Sequence, residues 1–119
     1  METVQIKRIY EPADDADGKR ILVDRLWPRG VTKEAAQLDE WMKEIAPSVS
    51  LREWFHHDPS KWEEFKVKYM FELKQNSAVK DLLDIINKNN KVTLLYAARD
   101  EQHNHALVLH QFIDTSLKK

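Results

Sequence analysis

The chain has 119 residues and a mass of 14.1 kDa, the size of one ordinary domain and enough to close a core without metal or disulfide staples. Its 19 Lys and Arg stand against 20 Asp and Glu, so no net field draws a polyanion, and neither nucleic acid nor a membrane surface is an expected partner. With no cysteine, disulfides, thiol nucleophiles and thiolate-ligated zinc are excluded and the cytosol is the expected compartment; METVQIKRIYEPADD has no basic stretch followed by an apolar run, so no targeting segment is expected, and no apolar run is long enough to span a bilayer.

Val4 to Tyr10 alternates imperfectly between apolar and polar positions and predicts a short first strand. EPADDADGKR follows as a polar loop. Ile21, Leu22 and Val23 in succession predict a strand covered on both faces, stopped by Pro28 and Gly30. Thr32 can cap a helix from Lys33, with Ala35, Leu38, Met42 and Ile45 at helical spacing up to Pro47. A shorter helix followed by a strand within Leu38 to Ala46 fits the same residues, and the pattern does not choose between the two.

Ser50, Leu51, Arg52 and Glu53 form a capping box, which predicts a short helix carrying Trp54 and Phe55 inward and ending near HHDP. Asp58 and Pro59 read as the N-cap and first residue of the next helix, with Trp62, Phe65, Tyr69 and Leu73 on one face and His57 positioned to staple against Trp62. After Asn76 and Ser77 a further helix carries Val79, Leu82, Leu83 and Ile86 and ends in NKNN. KVTLLYAA predicts a second buried strand around Val92, Leu94, Leu95 and Tyr96. A polar loop then leads to a last helix with His105, Val108, Leu109 and Phe112 on its apolar face, and TSLKK is expected to fray. Strands alternating with helices, without an internal repeat, predict one α/β domain over residues 1–119: a small sandwich, its mostly parallel sheet flanked by helices.

In open parallel sheets ligands collect beyond the carboxyl ends of the strands. The first buried strand delivers Asp24, Arg25, Trp27 and Arg29, and the second Tyr96, Arg99, Asp100, Asn104 and His105, so neighbouring strands would bring the two sets together. Arg25 and Arg29, four apart around Pro28 and Gly30, can clamp a phosphate or carboxylate; the alternative is that Asp24 and Arg25 form structural ion pairs and Trp27 only packs. His105, beside Asn104 in the first turn of its helix, can act as acid, base or donor, and His57 is the other candidate; either can equally be a satisfied core or staple residue. Asp24 would orient an arginine or a histidine. Tyr69 and Tyr96 fall on apolar stripes, where core packing competes with a ligand role.

The histidines lack metal-ligand spacing, since His56 and His57 are adjacent and diverge while His103 and His105 are two apart; no metal and no cofactor is expected. With Gly18 and Gly30 as the two glycines, neither GxGxxG nor GxxxxGK[ST] can occur, and there is no GxSxG elbow.

ILVDRLWPRG, LREWFHHDP, FKVKYMFEL, and VTLLYAARD with NHALVL, taken in order over nearly the whole chain, resemble the YeaO-like proteins of the "domain of unknown function 488" family. The resemblance implies a small α/β sandwich from a bacterium or archaeon. It also implies a site at the positions matching the family motifs: Asp24, Arg25, Trp27, Pro28, Arg29, Gly30, Pro47, Ser48, His57, Tyr69, Tyr96, Asn104 and His105. It implies no reaction. His56 stands before His57 where the family pattern carries a small residue, so either imidazole can fill that role.

The resulting expectation is a small enzyme or enzyme-like protein that holds an anionic metabolite, such as a nucleotide fragment. Arg25 and Arg29 would clamp it, Trp27, Ser48, Tyr69, Tyr96 and Asn104 would help bind it, and His57 or His105 would move a proton. Two alternatives stand beside it. One is a non-catalytic sensor or adaptor using the same cleft. The other is a protein-interaction module, suggested by four tryptophans and marked by an exposed apolar patch around Trp54 or Trp41.

Overall fold

A computed structural model describes residues 3–117. Four strands, β1 (Thr3–Arg8), β2 (Lys19–Leu22), β3 (Glu40–Trp41) and β4 (Lys91–Tyr96), are interspersed with five α-helices: α1 (Lys33–Ala36), α2 (Val49–Phe55), α3 (Trp62–Lys74), α4 (Ala78–Lys88) and α5 (His105–Leu117). All strands run parallel in the order β1-β4-β2-β3, with Val4 opposite Val92, Ile21 opposite Leu94 and Leu22 opposite Trp41. This is the small α/β architecture that the sequence pattern predicts.

The apolar residues clustered at Ile21 to Val23 and along β4 follow from burial on both faces, because successive side chains in a strand point to opposite sides. Val92, Leu94 and Tyr96, with Ile21 and Val23, join the larger core, which α2 to α5 complete through residues such as Phe55, Phe65, Tyr69, Leu82, Ile86 and Leu109. Leu95 and Leu22 face the other way and meet Ile9 and Ala36, flanked by Trp27, Val31, Leu38 and Trp41. The thick helical layer thus covers one face, and α1 with its adjoining loops covers the other.

At the amino end of β2 the sheet is locked by a buried charge cluster. The Asp17 carboxylate accepts from Lys7 Nζ at 3.0 Å, from the Asp14 amide at 3.0 Å and from Arg20 Nη1, while the Asp17 carbonyl accepts from Thr93 Oγ1 at 2.7 Å. Next to it Gly18 takes φ +64°, and a Cβ there would lie 2.3 Å from the Lys91 carbonyl oxygen, so only glycine fits between the loop and β4.

The segment that the sequence left open resolves into both elements of the shorter reading. Helix α1 ends after one turn because Gln37 adopts a left-handed conformation (φ 45°), and the chain then extends into the two-residue edge strand β3 and a 3-10 turn at Lys43–Ile45. Three expectations need correction. Helix α2 is capped by Ser48 rather than by a box at Ser50: Ser48 Oγ accepts from the Leu51 amide at 3.2 Å. His57 does not staple Trp62, whose ring packs instead on Phe55 and Phe65, at 6.0 and 5.7 Å between centroids. Thr115, Ser116 and Leu117 do not fray but continue α5, while the final Lys118 and Lys119 of that tail lie outside the described residues. Among the described residues no helix is long and apolar enough to cross a membrane.

Candidate functional site

Because β2 and β4 are parallel neighbours, DRLWPRG and the loop before α5 leave the sheet at the same edge. Asp24 ties them together. Its Oδ2 accepts from the Ala97 amide at 3.0 Å, and its backbone carbonyl accepts from Trp41 Nε1 at 2.8 Å, joining the ends of β2, β4 and β3. His105 opens α5 and turns Nε2 toward the Val23 carbonyl at 3.0 Å. A carbonyl can only accept, so this nitrogen carries the proton. The same N–H faces Asp24 Oδ1 at 3.2 Å, an electrostatic contact without the alignment of a second hydrogen bond.

Above these residues lies a cavity of about 350 Å³, within the usual range for small-molecule sites. Trp27, Pro28, Pro47, Phe55 and Phe65 supply most of its apolar wall. The charged lining is one-sided: Arg25, Arg29 and Arg52 face a single carboxylate, Asp24, with the imidazoles of His57, His103 and His105 beside them. The two opening motifs therefore meet in one cleft.

The candidate residues divide by what already engages them. Arg25 lines the cleft, yet its guanidinium donates to the Ala46 carbonyl at 3.3 Å and, through Nε and Nη2, to the Pro47 carbonyl at 3.4 and 3.2 Å. It holds the turn before α2 in place. Trp27 donates Nε1 to the Val31 carbonyl at 2.7 Å and meets Trp41 edge-on at 5.4 Å, so its ring is a fixed wall. Asn104 is buried and caps α5, accepting from the Leu107 amide at 3.1 Å and donating to the Asp100 carbonyl at 2.9 Å. Arg29 and Arg52 are exposed at the rim, and neither forms an ion pair with a described residue.

Three residues stand behind the cleft rather than in it. Ser48 caps α2, and its Oγ and amide both donate to the Glu72 carboxylate. Tyr69 is fully buried and donates its hydroxyl to the Ile45 carbonyl at 2.7 Å, with its ring 6.2 Å from that of His105. Burial, reinforced by the Glu72 and Asp24 carboxylates, pushes the Tyr69 hydroxyl well above its ordinary pKa. Burial and the nearby Glu101 likewise raise Tyr96, which packs into the larger core. Both hydroxyls stay protonated at neutral pH.

His57 lines the cleft and His56 does not: the two take consecutive left-handed conformations (φ 44° and 54°), His56 ending α2 and His57 projecting beside Phe55. Two lining residues with ionisable side chains were not among the site residues expected from the sequence. Arg52 lies in the last turn of α2, where the capping pattern gave it a purely helical role. His103 is fixed by Asp100, whose Oδ2 lies 2.8 Å from Nδ1, and it meets Trp62 edge-on at 5.4 Å. The Gln102 amide and then the His103 ring hold the Asp100 carboxyl below its ordinary range. Among the described residues no three His, Cys, Asp or Glu side chains are grouped to hold a metal ion.

Comparison with known proteins agrees with this reading of the motifs. The chain is 49% identical over 106 residues to the uncharacterized protein YeaO of Escherichia coli (strain K12), a match covering 89% of this chain and 92% of that protein. It is 40% identical over 111 residues to the uncharacterized protein Mb3100c of Mycobacterium bovis, covering 93% of each. No solved structure matches the chain. The model of the family described as "Inactive DUF488-N3 subclade" matches residues 3–119, and the chain belongs to that family, among its YeaO-like members.

Proposed function

We propose that this chain holds a small anionic metabolite, bearing a phosphate or carboxylate, in the cleft above β2 and β4 and leaves it chemically unchanged. One observation carries the reading: Arg29 and Arg52 stand at the rim of an apolar cavity with no carboxylate partner among the described residues. Two guanidinium forks beside a poorly solvated wall favour a ligand with a planar or tetrahedral anion and an apolar body. The cysteine-free composition suits a ligand met in the cytosol.

The non-catalytic half of the proposal rests on the engagement of the other polar groups. Arg25, Asn104 and Ser48 are tied to backbone or cap positions, and Tyr69 to the Ile45 carbonyl. The family description as inactive points the same way. A second reading, proton transfer by His105 with His57 as the other candidate, is favoured by the approach of Asp24 to His105 at 3.2 Å.

A thermal-shift panel of phosphorylated and carboxylated metabolites on the wild type, Arg29→Ala and Arg52→Ala tests the binding. A ligand at a hundred times its dissociation constant adds about 2.7 kcal/mol of stability, and the shift should shrink in both variants. A panel without any shift, or a shift indifferent to both arginines, refutes the proposal. Mass spectrometry of the incubated ligand separates the two readings: consumption abolished by His105→Ala would replace the binding module with an enzyme.

A further inference from the structure

The most open apolar surface outside the cleft lies on α2 and α3. Val67 and Phe71, one turn apart on α3, are 71% and 65% exposed, and Val49 at the start of α2 is 51% exposed. Beside them Leu51, Trp54, Val67 and Phe71 line a groove of about 470 Å³. The Lys61 and Lys68 ammonium groups flank the Trp54 ring at 5.1 and 5.2 Å. A scattered exposed Val or Phe needs no explanation, but a contiguous strip along two adjoining helices marks a contact surface.

We propose that α3 packs antiparallel against α3 of a second copy of this chain, with Val67 and Phe71 at the centre. Glu64, Val67, Phe71 and Lys74 form one exposed stripe at i, i+3, i+7 and i+10, the spacing of a single helix face. Along that stripe the charge runs from acidic through apolar to basic. A twofold axis crossing α3 at the level of Tyr69 sets Val67 against the partner's Phe71 and Glu64 against the partner's Lys74, and symmetry repeats both contacts. Parallel pairing would instead set Glu64 on Glu64 and Lys74 on Lys74. A peptide of one charge sign would suit one end of the stripe and repel the other, so the second copy is the occupant the charge pattern fits. The existing contact of Lys68 Nζ with Glu64 Oε2, 3.7 Å apart and open to water, is weak enough to yield. The half-buried Trp54 widens the contact from the α2 side. Specific interfaces begin at roughly 1,200 Å² in total, and a contact centred on two apolar side chains is small by that measure, so the dimer should dissociate on dilution.

Sedimentation velocity of the full chain, from low micromolar to hundreds of micromolar, tests the pairing. The mass should climb from 14.1 kDa toward twice that value. Phe71→Glu and Lys74→Glu, both at exposed positions and checked for folding by circular dichroism, should each weaken association at least about tenfold. The double variant Glu64→Lys with Lys74→Glu restores opposite charges across the axis and should recover the dimer. A chain that stays monomeric throughout overturns the proposal. So does a dimer indifferent to Phe71→Glu, and so does a double variant no better than Lys74→Glu alone.

Discussion

Asp17→Asn removes one charge from the cluster at the amino end of β2 while keeping the shape of the side chain. The Asp17 and Arg20 side chains are 4% and 5% exposed, and that of Lys7 is 17% exposed. Removing one partner of a buried ion pair costs about 3–5 kcal/mol, because the charge left behind cannot reach water. Arg20 stays buried, but Lys7 can turn outward and the substituted amide oxygen can still accept from Arg20, which argues for the lower end, about 3 kcal/mol. An unfolding entropy of about 2.1 cal/mol/K per residue gives roughly 0.25 kcal/mol/K for a chain of this length, hence a fall in Tm of about 12 °C. Burial alone would raise the Asp17 carboxyl, but the Lys7 hydrogen bond, the Asp14 amide and Arg20 outweigh it and hold the carboxyl below its ordinary range. As pH falls, the unfolded carboxylate therefore takes up its proton first, near about pH 3.9, while the folded one stays ionised. This stabilisation is complete above that value and is lost as pH drops through the folded pKa. Urea unfolding at neutral pH and at steps down to about pH 3 measures both effects. The variant should lose less stability than the wild type across the acid steps, so that the two curves converge. A loss under about 1 kcal/mol at neutral pH, or parallel acid limbs, refutes the reasoning. The cluster lies at the opposite end of the sheet from the cleft, so stabilisation by a bound ligand should survive the substitution.

Gly18→Ala should cost at least about 3 kcal/mol or abolish soluble expression, since the new Cβ meets the Lys91 carbonyl oxygen at 2.3 Å on a backbone with φ +64°. Gly30→Ala is its control: φ is +78° there, but nothing lies within 4 Å, and about 1–2 kcal/mol of backbone strain is the whole expected effect in the same melting assay. Tyr69→Phe should lose about 1–3 kcal/mol by leaving the Ile45 carbonyl unpaired. Because burial raises the Tyr69 pKa, its contribution is complete below about pH 10 and is lost as pH rises toward the folded value, so the variant's alkaline limb should be the flatter one in denaturant titrations.

The parallel sheet was legible because Ile21-Leu22-Val23 is an unbroken apolar run and Val92 to Tyr96 is broken only by Thr93, a pattern that requires cover on both faces. That the two meet was not legible, since strand adjacency is a tertiary choice and the sequence between β2 and β4 carries no trace of it. The two-residue β3 is too short for any period to register. Ser48 and Ser50 are both plausible caps, and the decision comes from Glu72, 24 residues on in the chain, which accepts from Ser48. Local spacing marked Arg25 and Arg29 as equivalent, but the turn at Ala46 and Pro47 offers its carbonyls to Arg25 alone. Arg52 shows the converse: a helix pattern reports which face is apolar, not that the polar face borders a cavity.

The strand order also has a temporal consequence. β4 lies between β1 and β2, yet it is synthesised after both, and its pairing with β1 joins residues 88 positions apart, as Thr3 does with Lys91. While a ribosome is still making α2 to α4, β1 has no hydrogen-bonding neighbour and β2 has only the two-residue β3. Strand β4 thus closes the sheet in one late step with high loop-closure entropy, which makes folding slow for a chain this small and leaves the apolar side chains of β1 and β2 open to the chaperone pool until β4 emerges.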